Sequence, residues 1–192
     1  MKKYVQIACM ILFVSALTVN GANTRSTSST TKSIIEKIKK YNSKRITSLL
    51  TLYKKKPRNA MLNNRLGYLY YAIGKYKNSE YHYKQAVTYN DKNIEARLGL
   101  YLLATANKNY AKAEAYCREV RSIDNLNYYG NLYLTYARMA QYKYKKAEIV
   151  CKKMLTIYPC DTTFLRLLKL NYTYQKQSKK ARKVQSDIEL LR

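Results

Sequence analysis

AMLNNRLGYLYYAIGKYKNSEYHYKQAVTYNDKN, residues 60–93, reads as one complete helix-turn-helix unit. Leu66, Gly67 and Tyr70 lie at helical spacing, Gly74 and Tyr76 mark a turn, and Ser79, Tyr83 and Ala86 run down one side of a second helix. Moved along the chain in steps of 34 residues, the pattern meets leucine at Leu66, Leu100, Leu134 and Leu168. One match would be chance; three consecutive steps without an insertion set a period.

The second helices keep the same phase. Small residues that permit close helix approach stand at Ser79, Ala113, Ala147 and Ala181, with Tyr76, Tyr110 and Tyr144 three places earlier. A 34-residue helix-turn-helix period with these small and aromatic positions resembles the tetratricopeptide repeat family, over Ala60 to Arg192. The resemblance implies an all-α, right-handed α-solenoid. Three features depart from the family pattern. Asn63 stands where the family usually has tryptophan, Tyr101 and Thr135 replace the small residue found at Gly67, and only Pro159 keeps the closing proline among the full repeats.

The expected organisation is a signal peptide over 1–21, a flexible Ser/Thr-rich linker over 22–32, and a degenerate first repeat over 33–59. Full repeats follow at 60–93, 94–127 and 128–161, with a truncated capping repeat at 162–192. Within 33–59, two short helices are expected, one around Ile34, Ile35 and Ile38 and one around Ile46, Leu49, Leu50 and Tyr53, stopped by Pro57. Leu49 falls in phase with Tyr83, Cys117 and Cys151. A solenoid of this kind needs no central core, because each unit buries its apolar stripe on its neighbour.

Lys2 and Lys3, the apolar run from Val5 to Val19 and the small residues Gly21 and Ala22 are the layout of a secretory leader. That run is shorter than the roughly 20 residues of a spanning helix. The expectation is export to the periplasm or outside the cell; retention by an uncleaved N-terminal segment is the alternative. From Asn23 to Lys32 the absence of apolar periodicity gives no buried face.

Against 37 Lys and Arg stand only 11 Asp and Glu, for a formal charge of +26. Such a surface attracts polyanions. The lysines are nevertheless spread over every repeat, and Lys, Tyr, Asn and Ile are abundant together, as an AT-rich coding bias produces; charge is read first as background. A basic outer face including Lys84, Lys112, Lys145, Lys146, Lys152 and Lys153 makes an anionic membrane surface or acidic glycan a second class of partner. Nucleic acid is disfavoured for an exported chain, and self-association is a further option.

In the family that the chain resembles, first helices line the concave surface. Carried over, the resemblance places Asn64, Tyr68 and Tyr71, then Leu98 and Leu102, then Tyr129, Leu132, Tyr136 and Met139, then Arg166 and Leu170 along a groove, with Thr105 and Thr173 beside them. An aromatic, apolar trough suits a protein or peptide partner, since tyrosine offers large contact area at little rotamer cost. A stripe of aromatics at helical spacing is also what packing between units requires. Some relatives grip a terminal carboxylate with a clamp of Lys, Asn and Arg from successive first helices. Asn64 and Arg65 match part of it, but the next unit offers Glu95, Leu98 and Gly99, so recognition of an acidic chaperone tail is not expected.

Nothing in the sequence calls for a cofactor. Cys117 and Cys151 occupy one place in adjacent second helices and read as small buried hydrophobes with free thiols. Cys160, after Pro159 in a turn, reads as the exposed thiol. His82 is the only histidine and is expected on the outward side of its helix; without spaced partners it makes no metal site. No phosphate loop, nucleophile elbow or apolar carboxylate pair is present, so the expectation is a non-enzymatic scaffold.

Overall fold

A computed structural model describes residues 25–191. The leader expected at 1–21 lies outside them. The described residues form helices only: α1 (Arg25–Lys55), α2 (Ala60–Ala72), α3 (Tyr76–Tyr89), α4 (Ile94–Ala106), α5 (Tyr110–Ile123), α6 (Tyr128–Ala140), α7 (Tyr144–Ile157), α8 (Thr162–Tyr174) and α9 (Ser178–Glu189). First helices begin at Ala60, Ile94, Tyr128 and Thr162, and second helices at Tyr76, Tyr110, Tyr144 and Ser178, so the 34-residue step is kept in space.

Two local devices repeat with it. Each first helix is capped by a short polar side chain: the Asn59, Asn93, Asn127 and Asp161 oxygens accept from the backbone N–H of Leu62, Ala96, Gly130 and Phe164 at 2.8–3.0 Å. Each turn between the two helices of a unit uses a left-handed residue, Gly74, Lys108, Tyr142 or Lys176. Only the first of these is glycine; the other three carry a backbone cost of about 1 kcal/mol.

Each helix packs on the next, and consecutive first helices also touch, α2 on α4, α4 on α6 and α6 on α8. Second helices make no comparable contact with one another among the described residues. Leu66, Leu100, Leu134 and Leu168 are all buried, each within an apolar cluster.

The departures from the repeat pattern compensate one another. The buried Tyr83 ring lies between Gly67 of its own unit and Gly99 of the next; a methyl group at Gly67 would stand 2.7 Å from the ring Cδ1, and one at Gly99 would strike its far end. One unit later the sizes invert. Cys117 takes the place of Tyr83, Tyr101 that of Gly67, and Tyr133 that of Gly99, and the two tyrosine rings stack with centroids 4.5 Å apart. In the last unit the pair is polar, with Lys169 Nζ donating to Gln185 Oε1 at 2.7 Å.

Asn63 is likewise at home in the tryptophan position. Fully buried, it donates from Nδ2 to the carbonyls of Pro57 (2.7 Å) and Asn59 (3.0 Å), and its Oδ1 accepts from His82 Nδ1 at 3.0 Å. Asn131 repeats the two carbonyl bonds, to Asn125 (3.1 Å) and Asn127 (2.9 Å), but Val150 replaces the histidine and its Oδ1 finds no partner.

The segment before the first full hairpin differs from expectation. The two short helices expected within 33–59 are one uninterrupted helix, and of the linker expected at 22–32, the residues from Arg25 onward belong to it. No proline or glycine stands between Arg25 and Lys55 to break the chain, so helical hydrogen bonding simply continues. Its C-terminal half, through Ile46, Leu49, Leu50 and Tyr53, packs on Leu66, Leu69 and Tyr70 of α2.

Candidate protein-binding face

The first helices present their unburied sides as one row. Tyr136 on α6 and Leu170 on α8 are 44% and 42% exposed, too open for core positions, and Arg166 is exposed between them. Asn64, Tyr68, Tyr71, Leu98, Leu102, Tyr129 and Met139 are half-buried. Leu132 is different: buried in the core with Leu134 and Cys151, it presents nothing to a partner and is withdrawn from the face. It belongs to the apolar cluster that runs from Tyr101 to Ile188, and periodicity alone does not separate a packed position from a surface one.

Several tyrosines of this row are engaged in packing, Tyr68 across a unit boundary and the others within their own unit. Tyr68 packs on two apolar clusters at once, Tyr71 meets Tyr76 with centroids 5.5 Å apart, and Tyr129 lies against both Tyr128 (5.4 Å) and Tyr133 (6.1 Å). Tyr128 in turn meets Phe164 of the next unit at 5.4 Å and donates to Asp161 Oδ2 at 2.9 Å; burial pushes its phenol up to about 12. The aromatic row is thus half mortar, and Tyr136 and Leu170 are its most open members.

At the α2 end, the Asn64 amide donates to Glu95 Oε2 across the unit boundary at 2.8 Å. Asn64, which matches part of the family's clamp, is thus already bound to a carboxylate of the chain itself. Arg97 reaches Glu119 at 3.0 Å and is equally engaged.

The acidic residues work mostly inside the stack. Glu80, Glu114 and Glu148 recur at 34-residue spacing on the second helices. Glu114, nearly buried, accepts from Arg138 (3.0 Å), Lys143 (2.8 Å) and Gln141 (3.0 Å) of the following unit. Burial alone would raise its pKa, but the hydrogen bonds from Lys143, Arg138 and Gln141 outweigh it and hold the carboxyl down at about 2. Glu80 binds Lys84 and Lys112, and Glu148 binds Lys152. With Lys153 donating to Asn125 Oδ1 at 2.8 Å, four of the six lysines of the expected outer basic face are engaged; Lys145 and Lys146 remain exposed.

His82 is buried, contrary to the expectation of an outward position. Its ring stacks on Tyr70 (5.4 Å) and meets Tyr53 (5.2 Å) and Tyr81 (5.1 Å) edge-on, so α1, α2 and α3 close around it. The long reach of Tyr53 from α1 covers a position that one helix taken alone leaves open. Burial lowers its pKa, favouring the neutral ring. Among the described residues no group of three or more His, Cys, Asp or Glu is gathered as metal ligands would be. Cys117 and Cys151 are buried free thiols, with burial pushing the Cys151 thiol up to about 12, and Cys160 is free and exposed. Among the described residues no helix is long and apolar enough to cross a membrane.

No family model and no curated protein matches the sequence. Solved structures do resemble it. A tetratricopeptide repeat protein from Parabacteroides merdae superposes with a TM-score of 0.64 at 15% identity, over 78% of this chain and 59% of that one; the present chain spans little more than half that protein's length. MamA superposes with a TM-score of 0.71 at 17% identity, over 76% of this chain and 85% of that one. The first TPR of Spaghetti (RPAP3), bound to the HSP90 peptide SRMEEVD, does so with a TM-score of 0.57 at 18% identity, over 61% of this chain and 93% of that one. With eight of its nine described helices stepping every 34 residues in two interleaved series, the chain has the fold of the tetratricopeptide repeat proteins, an all-α solenoid of stacked hairpins.

Proposed function

We propose that the protein is an exported, non-enzymatic scaffold that holds a protein partner along its row of first helices. Consecutive first helices pack on one another while, among the described residues, second helices make no comparable contact, which supports the first-helix row as the shorter, inner side of the stack. The observation that carries the reading is the exposure of Tyr136 and Leu170 on that side, with Arg166 open between them and half-buried Tyr68, Leu102 and Tyr129 continuing the row. Solved structures with this fold include one that holds a peptide, which supports a protein or peptide ligand as the general class. The Asn64–Glu95 contact makes an acidic C-terminal tail a poor fit and favours a segment of mixed apolar and neutral character. Export rests on the leader pattern at 1–21.

A photo-crosslinking residue placed at Tyr136 or at Leu170 should capture one and the same partner in the producing cell. The same residue at Lys145, on the outer side, should not. Equal capture from all three positions, or none from the first two, sinks the proposal. Mapping the mature N-terminus by mass spectrometry tests export separately; an intact Met1 in the cytosol removes that part.

The outer basic face favours a second reading, adhesion to anionic lipid or acidic glycan. Its support is the excess of 37 basic over 11 acidic residues, of which Glu80, Glu114 and Glu148 are spent inside the stack. Retention on anionic vesicles that survives 1 M salt would refute it, because the Debye length there is only about 3 Å.

A further inference from the structure

In every full hairpin, the second helix turns its inner face onto the first helix of its own unit. Ala86, Val120 and Met154, one per unit, are each 0% exposed, and the first helix of the next unit helps to close over them: Ala86 clusters with Ala96 and Leu100, and Gly130 lies against Val120. The C-terminal half of α1 stands in the same phase and packs on α2 as α3 packs on α4. Its residue at the matching position, Leu52, is 54% exposed. No first helix lies over it among the described residues, because the chain that would have folded back continues as α1.

The open stripe continues toward the N-terminus of α1 as far as Ile34, with Ile38 and Arg45 half-buried between the exposed Ile34, Tyr41 and Ser48. Ile34, Ile38, Tyr41, Arg45, Ser48 and Leu52 recur at alternating spacings of four and three, the seam of a helix that packs on another helix. Ile34 and Tyr41 are 51% and 64% exposed. From Ile34 to Leu52 the seam is about 27 Å long at 1.5 Å per residue, room for about five turns of a partner helix. The face it offers is therefore shaped for a helix, as the equivalent faces of the other units show by being covered with one.

The charge on α1 selects among helices. Lys37, Lys40 and Lys44 are exposed beside the seam, whereas the lone acid between Arg25 and Lys55 is Glu36, which is bound to Lys39 at 3.2 Å. A second copy would bring the same lysines against these, on a chain of formal charge +26. An acidic flank meets them with opposite sign. We infer that α1 is a docking site for an amphipathic helix of an acidic partner, seated where the first helix of that unit would lie. This site is separate from the first-helix row proposed above.

The test uses the full chain and a fluorescent 18-residue helical probe with leucines at alternating spacings of three and four and glutamates elsewhere. Anisotropy should show binding that Leu52→Asp and Ile34→Asp each weaken at least tenfold, while Tyr136→Ala leaves it unchanged. Both substituted positions are open to solvent, so circular dichroism should report undiminished helix. Replacing the glutamates of the probe by lysines should abolish binding. The inference is overturned if both variants bind as the parent does, if the lysine probe binds equally well, or if the full chain binds neither probe. It is also overturned if sedimentation reveals a dimer that Leu52→Asp dissociates, which makes a second copy the occupant. Loss of binding on Tyr136→Ala alone would overturn it too, while supporting the first-helix row as a binding face.

Discussion

The Tyr83 ring held between Gly67 and Gly99 allows a prediction whose sign depends on its background. Gly67→Ala puts a methyl group 2.7 Å from Tyr83 Cδ1, about an ångström inside contact distance. The ring cannot swing aside, because Gly99 closes on its other end. Overpacking of this kind costs about 1–3 kcal/mol, and alanine's better helix propensity returns up to about 1 kcal/mol. The expected net loss is about 1–2 kcal/mol. Tyr83→Cys imports the residue found one unit later at Cys117 and empties the space, at a cost of about 3–5 kcal/mol as for other buried aromatics. In that background Gly67→Ala no longer meets a ring and should stabilise, by about 0.5–1 kcal/mol. Urea unfolding followed by circular dichroism, fitted with a nearest-neighbour description of the repeats, gives all four corners of the cycle. Equal effects of Gly67→Ala in the two backgrounds, within about 0.5 kcal/mol, would refute the account of why glycine stands there.

Further outcomes are expected from the same structure. Lys108→Gly and Lys176→Gly, at left-handed turn positions, should each stabilise by about 0.5–1 kcal/mol in the same assay, against the slight loss usual for glycine on a surface. Glu114 has a folded pKa of about 2 against 4.5 unfolded, so its contribution, on the order of 3 kcal/mol, is complete above about pH 4.5 and drains away as pH falls toward 2; Glu114→Gln should remove that part of the acid-unfolding curve. His82 shifts downward, so the unfolded chain takes up its proton first, and stability should fall as pH drops below about 6.5; in His82→Phe the thermal midpoint should be flatter between about pH 7 and pH 5. In the native chain Cys160 should react with a thiol reagent at once, and Cys117 and Cys151 only when urea is added.

Local pattern and long-range packing divided the determination of this protein between them. The helices, their 34-residue step and the alternation of first and second helices could be read from the chain, because helical periodicity and turn residues act over a few neighbours and the phase is never interrupted. The burial of Cys117 and Cys151 followed from the same phase. The row of first-helix residues was legible as a set but not by member, since Leu132 and Tyr136 share a helix and a spacing while one is buried in the core and the other faces water. What surrounds His82 is not legible locally, because Tyr53 arrives from a separate helix that the apolar pattern divides into two short pieces. The repeated caps at Asn59, Asn93, Asn127 and Asp161 stand in the chain as a 34-residue pattern of short polar residues, a signal that marks the start of each first helix. From Ala60 onward the local pattern determines which segments are helices and how often they recur; the stack alone decides which tyrosines are mortar, which glycines touch rings and which face of α1 stays bare. Those choices depend on side chains that meet across unit boundaries, where no local spacing can report the partner's size.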